Sequence, residues 1–475
     1  MQQFLKNKIG LKSLLVLLFF LAVSLVIYYP TLKSDPLWDD WVFLFRSWAI
    51  KNVRPWEYWL FGIHRRSWPV FFTTLSLMYK AWGDNTFYYH LTSVVLHSCN
   101  GFLIYKILKK LGGSNTLLIA LLYLVHPLNF FTVSWIIQLK TLMCIFFFLI
   151  SLGLFLDHLK DGSKYRYWIS VLFFGLSLLS KSAFAPIGLM MIFYKDKAKM
   201  VPYLLICVYS VLLTGWATHI KGFVQDPQVT SYFISPAVAE ENFSKIEKIE
   251  PMTRKLGPPR KRDKDPFNEV ALSLNNLTRY SLYVFYPSEN LLVQPSTQIT
   301  YSYKEILSAL VLVFLIIFLF FRFYETKKIN SLLGLTFFLI TLLPLCGVFF
   351  IPIFRYSNYV EYWLSVPILG LLVCFSMISF RQVYIKGLLI VAICFFTYKT
   401  SATSINTPGP VSMIEKSIES YPDSILTKFI LARHYTFKGE YEKSNQILLK
   451  ERNNPEFKVN IMKDVEENFN LMKSR

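Results

Sequence analysis

Asp39 and Asp40 stand side by side in Ser34-Asp-Pro-Leu-Trp-Asp-Asp-Trp-Val-Phe-Leu-Phe45, hemmed in by aromatic and apolar residues. Paired carboxylates in such a setting suit general-base work. Loss of water and a neighbouring like charge both raise a carboxyl toward the working range of a base. The same pair also reads as a plain helix start, with an Asp capping the helix from Trp41. The candidate cations are Arg66, Lys140 and Lys181, with Arg355 of Phe354-Arg-Tyr-Ser357 on similar grounds. Each falls at the predicted outer end of an apolar helix, where positive charge is disfavoured. Such a cation wants an anion, and a lipid phosphate is one; the bland reading is a side chain snorkelling to the headgroups.

Three further residues carry weaker signals. His126 begins a His-Pro turn at an outer helix end and could hydrogen-bond an acid of the first loop. His97 sits inside an apolar run with Asn100 one turn on; both histidines also read as structural. Glu361 is either a second acid or an ion-pair partner of Arg355 or a nearby lysine. No His/acid spacing makes a strong metal site, and two adjacent carboxylates are a thin ligand set for a divalent cation. The six cysteines lie in apolar runs without CxxC spacing, which indicates neither a zinc site nor a disulfide framework. No glycine-rich phosphate loop occurs, so nothing points to a soluble nucleotide donor.

The elements that must position these groups are membrane helices. Of 475 residues, 54% are hydrophobic and only 17% charged, with mean hydropathy +0.40. Apolar runs predict an all-α polytopic bundle of about eleven spans. They are about Ser13–Tyr29, Tyr88–Leu108, Ser114–Val125, Lys140–Leu156, Tyr167–Leu179, Ala183–Tyr194, Pro202–Thr218, Ile306–Phe321, Leu332–Phe350, Trp363–Phe380 and Gly387–Tyr398. The first follows three lysines but no small-residue cleavage site, and reads as an uncleaved helix. The net charge of +20 lies in short Lys/Arg clusters between spans. That fits cytoplasmic loops facing anionic lipid rather than nucleic acid. Counting alternately from a cytoplasmic N-terminus puts the clusters inside. It puts three segments outside: Pro30–Phe87, His219–Tyr303 and the tail from about Thr400. Within the first, Trp38–Ile50 and Trp68–Trp82 read as interfacial helices; in the second, Asn268–Tyr286 is amphipathic. The tail, 401–475, reads as helix, turn and helix. Leu431, Ala432, Tyr435 and Gly439 stand where a tetratricopeptide unit places its packing residues. One such unit cannot stand alone and must lean on the membrane domain, 1–400, or on a partner.

The order of several segments resembles a known family, the bacterial relatives of TMTC-type protein O-mannosyltransferases in the GT-C superfamily. The segments are Trp38-Asp-Asp-Trp41, Arg66-Ser-Trp-Pro69, Tyr89 to Asn100, Leu124-Val-His-Pro127, Val133-Ser-Trp-Ile-Ile-Gln-Leu-Lys140, Leu178-Leu-Ser-Lys181, Leu342-Leu-Pro344, and Glu361 to Pro367 with Gly370. The resemblance spans about residues 30–455. It implies a GT-C-like fold and transfer of a sugar from a polyprenyl-phosphate carrier to a protein or envelope-glycan acceptor at the outer face of a bacterial inner membrane. Asp39 and Asp40 would be catalytic, Arg66, Lys140, Lys181 and Arg355 would hold the donor phosphate, and His126 and Glu361 would give support. Uncharged residues stand at five places where the family carries charge: Phe131, Leu139, Thr141, Ser182 and Tyr362. Those replacements suit an alternative, a silent relative that scaffolds an envelope complex through its helical tail. A transporter would show an internal repeat with broken midplane helices, and none is evident.

Overall fold

The computed structural model describes residues 2–37, 39–45, 47–52, 54–59, 68–191, 196–219, 266–287, 294–295, 303–347, 357–359, 361–378, 382–407, 409–422, 424–451 and 472. Nearly all of these are helical. The principal helices are α1 (Gln2–Tyr28), α2 (Pro69–Trp82), α3 (Thr86–Lys110), α4 (Thr116–Val125), α5 (Leu139–Asp161), α6 (Lys164–Ser180), α7 (Lys197–His219), α8 (Pro266–Phe285), α9 (Tyr303–Glu325), α10 (Ile329–Leu342), α11 (Ile368–Ser376), α12 (Gln382–Asn406), α13 (Pro410–Ser420), α14 (Ile425–Lys438) and α15 (Tyr441–Lys450). Two short strands, β1 (Gln294–Pro295) and β2 (Ser357–Tyr359), pair antiparallel, with Gln294 opposite Tyr359.

Among the described residues, six helices are long and apolar enough to cross a bilayer: Leu11–Lys33, Thr86–Lys110, Ile136–Asp161, Leu307–Glu325, Ile329–Cys346 and Val383–Asn406. A seventh follows if Thr116–Val125 and Pro127–Ser134, bent by 50°, form one broken span. Of the other expected spans, Lys164–Ser180 has 17 residues and Ile368–Ser376 has 9 against the roughly 20 of a full crossing, whereas Lys197–His219 has 23.

Local sequence explains the joints. Pro127 keeps His126 extended (φ −69°, ψ 128°), so α4 stops at Val125. A 3-10 turn at Pro127–Asn129, a short helix at Phe130–Ser134 and a second 3-10 turn at Ile136–Gln138 then lead into α5. Gly162, with φ +70°, ends α5, and the Ser163 side chain accepts from the Arg166 amide to start α6. The hairpin is stitched inside by hydroxyls. Ser177 Oγ donates to the Cys144 carbonyl at 2.7 Å, and Ser151 Oγ to that of Ser170 at 2.7 Å. In an apolar bundle such bonds satisfy groups that lipid cannot.

The bundle has two chemically different ends. At one, Lys110 pairs with Asp157 at 2.7 Å, the Ser114 amide donates to the Ser376 carbonyl at 2.7 Å, and Asn330 donates to that of Leu111 at 3.1 Å. This end collects the Lys/Arg clusters that close α3 and α5. At the other, the first loop meets the joint between α4 and α5. The 25-residue α3 separates the two by about 37 Å at 1.5 Å per residue.

The tail leans on the first loop. Phe437 stacks on Trp41 with ring centroids 5.8 Å apart, and Lys438 pairs with Asp35 at 2.7 Å. His434 is buried with its ring edge-on to Trp41 at 6.3 Å. Ser424 caps α14 by accepting from the Thr427 amide, and Gly439, at φ +79°, ends it.

Candidate functional site

Asp39 and Asp40 form a helical turn that runs into a π-helical turn at Trp41–Phe45, a geometry often found at functional sites. The two acids divide sharply. Asp40 is 1% exposed, and both of its oxygens are occupied. Oδ2 accepts from the Leu37 amide at 2.9 Å and Oδ1 from the Ile137 amide at 2.8 Å. The 3-10 turn at Ile136–Gln138 presents that second amide to the loop. The Trp135 indole N–H donates to the Leu37 carbonyl at 3.3 Å, tying the loop to the same joint. Asp40 is therefore an anchor rather than a cap for the helix after it. Burial pushes it up to about 8; the Leu37 and Ile137 amides oppose the shift, the charge of Asp39 adds to it, and Lys140 opposes it. Asp39 is only partly buried.

Lys140 is in the first turn of α5, one turn beyond Ile137, and 9% exposed. Its ammonium lies 4.8 Å from the centre of the Trp68 ring, a cation–π contact. Lys181 follows the end of α6 in an extended conformation (φ −165°, ψ 133°). Its Nζ donates to Thr141 Oγ1 at 2.8 Å, and Thr141 in turn donates to Gln138 Oε1 at 2.8 Å. Burial chiefly, then the like charge of Lys140, draws Lys181 down to about 7, with Cys144 pulling the other way. Asp40, Lys140 and Lys181 thus share one electrostatic neighbourhood at the end of the bundle away from the lysine-rich loops.

The remaining candidates fall elsewhere. Arg66 and Arg355 lie outside the described residues. His126 does not serve a first-loop acid. Its Nδ1 accepts from the Leu128 amide at 3.2 Å, so Nε2 carries the proton and donates to the Val284 carbonyl at 2.8 Å, fastening α8 to the broken span. His97 likewise bonds a backbone carbonyl, that of Leu124, at 3.0 Å. Glu361 is buried and accepts from the Tyr283 hydroxyl at 2.7 Å. Among the described residues no three His, Cys, Asp or Glu side chains converge, so a cation at the acid pair would need ligands from elsewhere. Sequence reasoning gave no role to Trp68, Trp135 or Gln138, whose only signal was membership of Arg66-Ser-Trp-Pro69 and of the run from Val133 to Lys140; Thr141 stood out only as an uncharged residue where the resembled family carries charge.

The site therefore offers one partly exposed carboxylate, a second locked in place behind it, and two cations on adjoining helix ends. Such a set can take a proton from a hydroxyl and hold an anionic leaving group.

Comparison with known proteins fits this chemistry. Residues 66–217 match the family described as dolichyl-phosphate-mannose-protein mannosyltransferase. The chain is also 28% identical over 165 residues to the protein O-mannosyl-transferase tmtc2 of Xenopus laevis, covering 32% of this chain and 20% of that relative. It thus spans about a fifth of that protein's length. The family match includes Lys140, Lys181 and the α4–α5 joint; Asp39, Asp40 and the tail lie outside it. No solved structure matches. These similarities support a membrane glycosyltransferase in general terms.

Proposed function

We propose that the chain is an integral-membrane glycosyltransferase of GT-C type. It moves a sugar from a polyprenyl-phosphate carrier to a hydroxyl of a protein or envelope-glycan acceptor at the outer face of the membrane. The observation that carries this reading is the meeting of residues far apart in sequence: the Asp39–Asp40 turn bonded to Ile137, with Lys140 and Lys181 beside it. The eleven-span topology, with the lysine-rich end cytoplasmic, belongs to the same reading.

The chemistry needs few groups. The acceptor oxygen attacks C1 of the sugar as the bond from C1 to the phosphate oxygen breaks, and that oxygen leaves with the electron pair. Asp39 takes the acceptor proton. Asp40 holds the turn that aims Asp39, because its own oxygens are already bonded to amides. Lys140 and Lys181 hold the leaving phosphate as its charge grows. Thr141, where the resembled family has an acid, gives Lys181 a neutral partner. The lysine's charge is then not cancelled locally and remains available to an anion. The replaced charge at 141 thereby suits donor binding as well as it suits the silent-scaffold alternative. The docking of the tail on the chain's own first loop further favours the enzyme. Purified protein in nanodiscs with a polyprenyl-phosphate sugar tests the proposal. Wild type transfers sugar to acceptor or water, and Asp39→Asn loses transfer while keeping its melting temperature. Full residual activity in Asp39→Asn removes that acid from the mechanism.

A further inference from the structure

Beneath the catalytic turn, α1, α3 and α4 bury a set of polar atoms that the described protein groups leave unbonded. Tyr28 and Tyr123 are both fully buried, and among the described residues their hydroxyls have no hydrogen-bond partner. The same holds for the hydroxyls of Ser24 and Ser93 and for His97 Nδ1. The three rings lie together. The His97 ring is 5.9 Å from that of Tyr28 and 5.3 Å from that of Tyr123. Ser24 is one turn before Tyr28 on α1, and Ser93 one turn before His97 on α3.

The donor and acceptor types are complementary, yet they do not meet. His97 Nε2 bonds the Leu124 carbonyl and so carries the proton, which leaves Nδ1 as an acceptor. The four hydroxyls are donors. A serine in a helix commonly donates to the carbonyl four residues back, as Ser98 does to Val94 at 2.8 Å; Ser24 and Ser93 do not. Five unsatisfied polar atoms in one bundle core would cost as much as the whole stability of an ordinary domain. Native interiors meet such a demand with bound water.

We infer that Ser24, Tyr28, Ser93, His97 and Tyr123 form a buried hydration site, which takes ordered water molecules that bridge α1, α3 and α4. The polar face continues outward along α3 to His90, whose Nε2 bonds Ser34 Oγ at 3.0 Å and whose Nδ1 is again unbonded among the described residues. The site thus reaches the start of the loop that carries Asp40, and it gives that loop a hydrated foundation. The inference does not depend on the proposed reaction.

Radiolytic hydroxyl-radical footprinting of the full chain in nanodiscs tests it, because radicals form at bound waters and mark the side chains beside them. Tyr28 and Tyr123 should be oxidised at rates approaching those of exposed tyrosines such as Tyr165, and oxygen from labelled water should enter them. Phe148 and Phe184, buried and stacked on each other at 4.0 Å beside Phe337, serve as the dry reference. Tyrosines as unreactive as those phenylalanines would overturn the inference. The paired variant Tyr28→Phe with Tyr123→Phe gives a second reading. A hydrated site predicts a lower melting temperature, since bridged waters lose partners. A dry site predicts an unchanged or higher one, and that result would also overturn the inference. If this variant does not accumulate, the wild-type footprint decides alone.

Discussion

The Ile137 amide donates to Asp40 Oδ1 at 2.8 Å across 97 residues of chain. This bond fixes the first loop to the start of α5, where Lys140 stands. It also assigns the two acids different work, since both oxygens of Asp40 are spent on amides inside the protein, while its neighbour is only partly buried.

Asp40→Asn should destabilise the protein. An amide side chain has one accepting oxygen, so either Leu37 or Ile137 loses its partner at a buried site. The cost is about 1–3 kcal/mol, read as a lower melting temperature. The wild-type protein should also lose stability with rising pH. An unfolded aspartate titrates near 4, while burial holds folded Asp40 up to about 8. The folded state therefore keeps a proton that the unfolded state gives up. The contribution is complete below about 4 and lost as pH rises through about 8, and Asp40→Asn should flatten that part of the profile.

Lys181 should impose a pH limit on donor use. Burial and Lys140 hold it down to about 7 in the free protein. It is cationic below that value and neutral above. kcat/KM for the lipid-linked donor should therefore fall as pH rises through about 7. Lys181→Arg keeps its charge and should remove this limb. Lys181→Met should lose on the order of 10²–10³-fold in rate, the usual scale for one lost donor at a developing anion.

The segments that carry this site were legible as chemistry, and their division of labour was not. Asp39, Asp40, Lys140 and Lys181 stand out because charge sits against apolar runs. That Asp40 is spent on amides depends on a 3-10 turn at Ile136–Gln138, which forms only once the His126-Pro127 break has redirected the chain. His126 gives the same lesson. Its placement beside α8 follows from packing of residues 158 positions apart, and no local pattern reports that. Long helices such as α3 and α5 were readable because lipid demands a continuous apolar run with every backbone group bonded internally. Shorter pieces such as α4 and α11 were not distinguishable from full spans by hydropathy alone.

Acid should release the tail from the first loop. Burial chiefly draws His434 down to about 4, with Asp35, Lys438 and Glu440 as the charges facing it. A free histidine titrates near 6.5. Docking is therefore supported in full above about 6.5 and is lost as pH falls through about 4, because the undocked ring binds a proton that the docked ring cannot. Proteolysis at the α12–α13 connection should accelerate over that window. His434→Phe should abolish the acceleration, whereas Lys438→Glu, which replaces a charge that holds the ring down with one that favours its protonation, should narrow the window.

Gly334 and Gly370 mark a backbone crossing between α10 and α11. A Cβ at Gly334 would lie 2.6 Å from the Gly370 carbonyl oxygen, and one at Gly370 would run into the Gly334 carbonyl oxygen. Gly370→Ala should therefore push two backbones apart and cost about 1–3 kcal/mol. Gly387→Ala, at an exposed position inside α12 where an added Cβ meets nothing within 4 Å, should instead stabilise by about 0.5–1 kcal/mol in the same thermal assay.

The most direct test of the central claim is equilibrium binding of a radiolabelled polyprenyl-phosphate sugar to purified protein in nanodiscs. Wild type and Asp39→Asn should bind with similar affinity, because the base acts after the donor is seated. The double variant Lys140→Met with Lys181→Met, shown folded by its melting curve, should bind at least about tenfold more weakly, a loss of about 1.4 kcal/mol. Undiminished binding by that variant would contradict the assignment of these lysines to the donor phosphate, and with it the site.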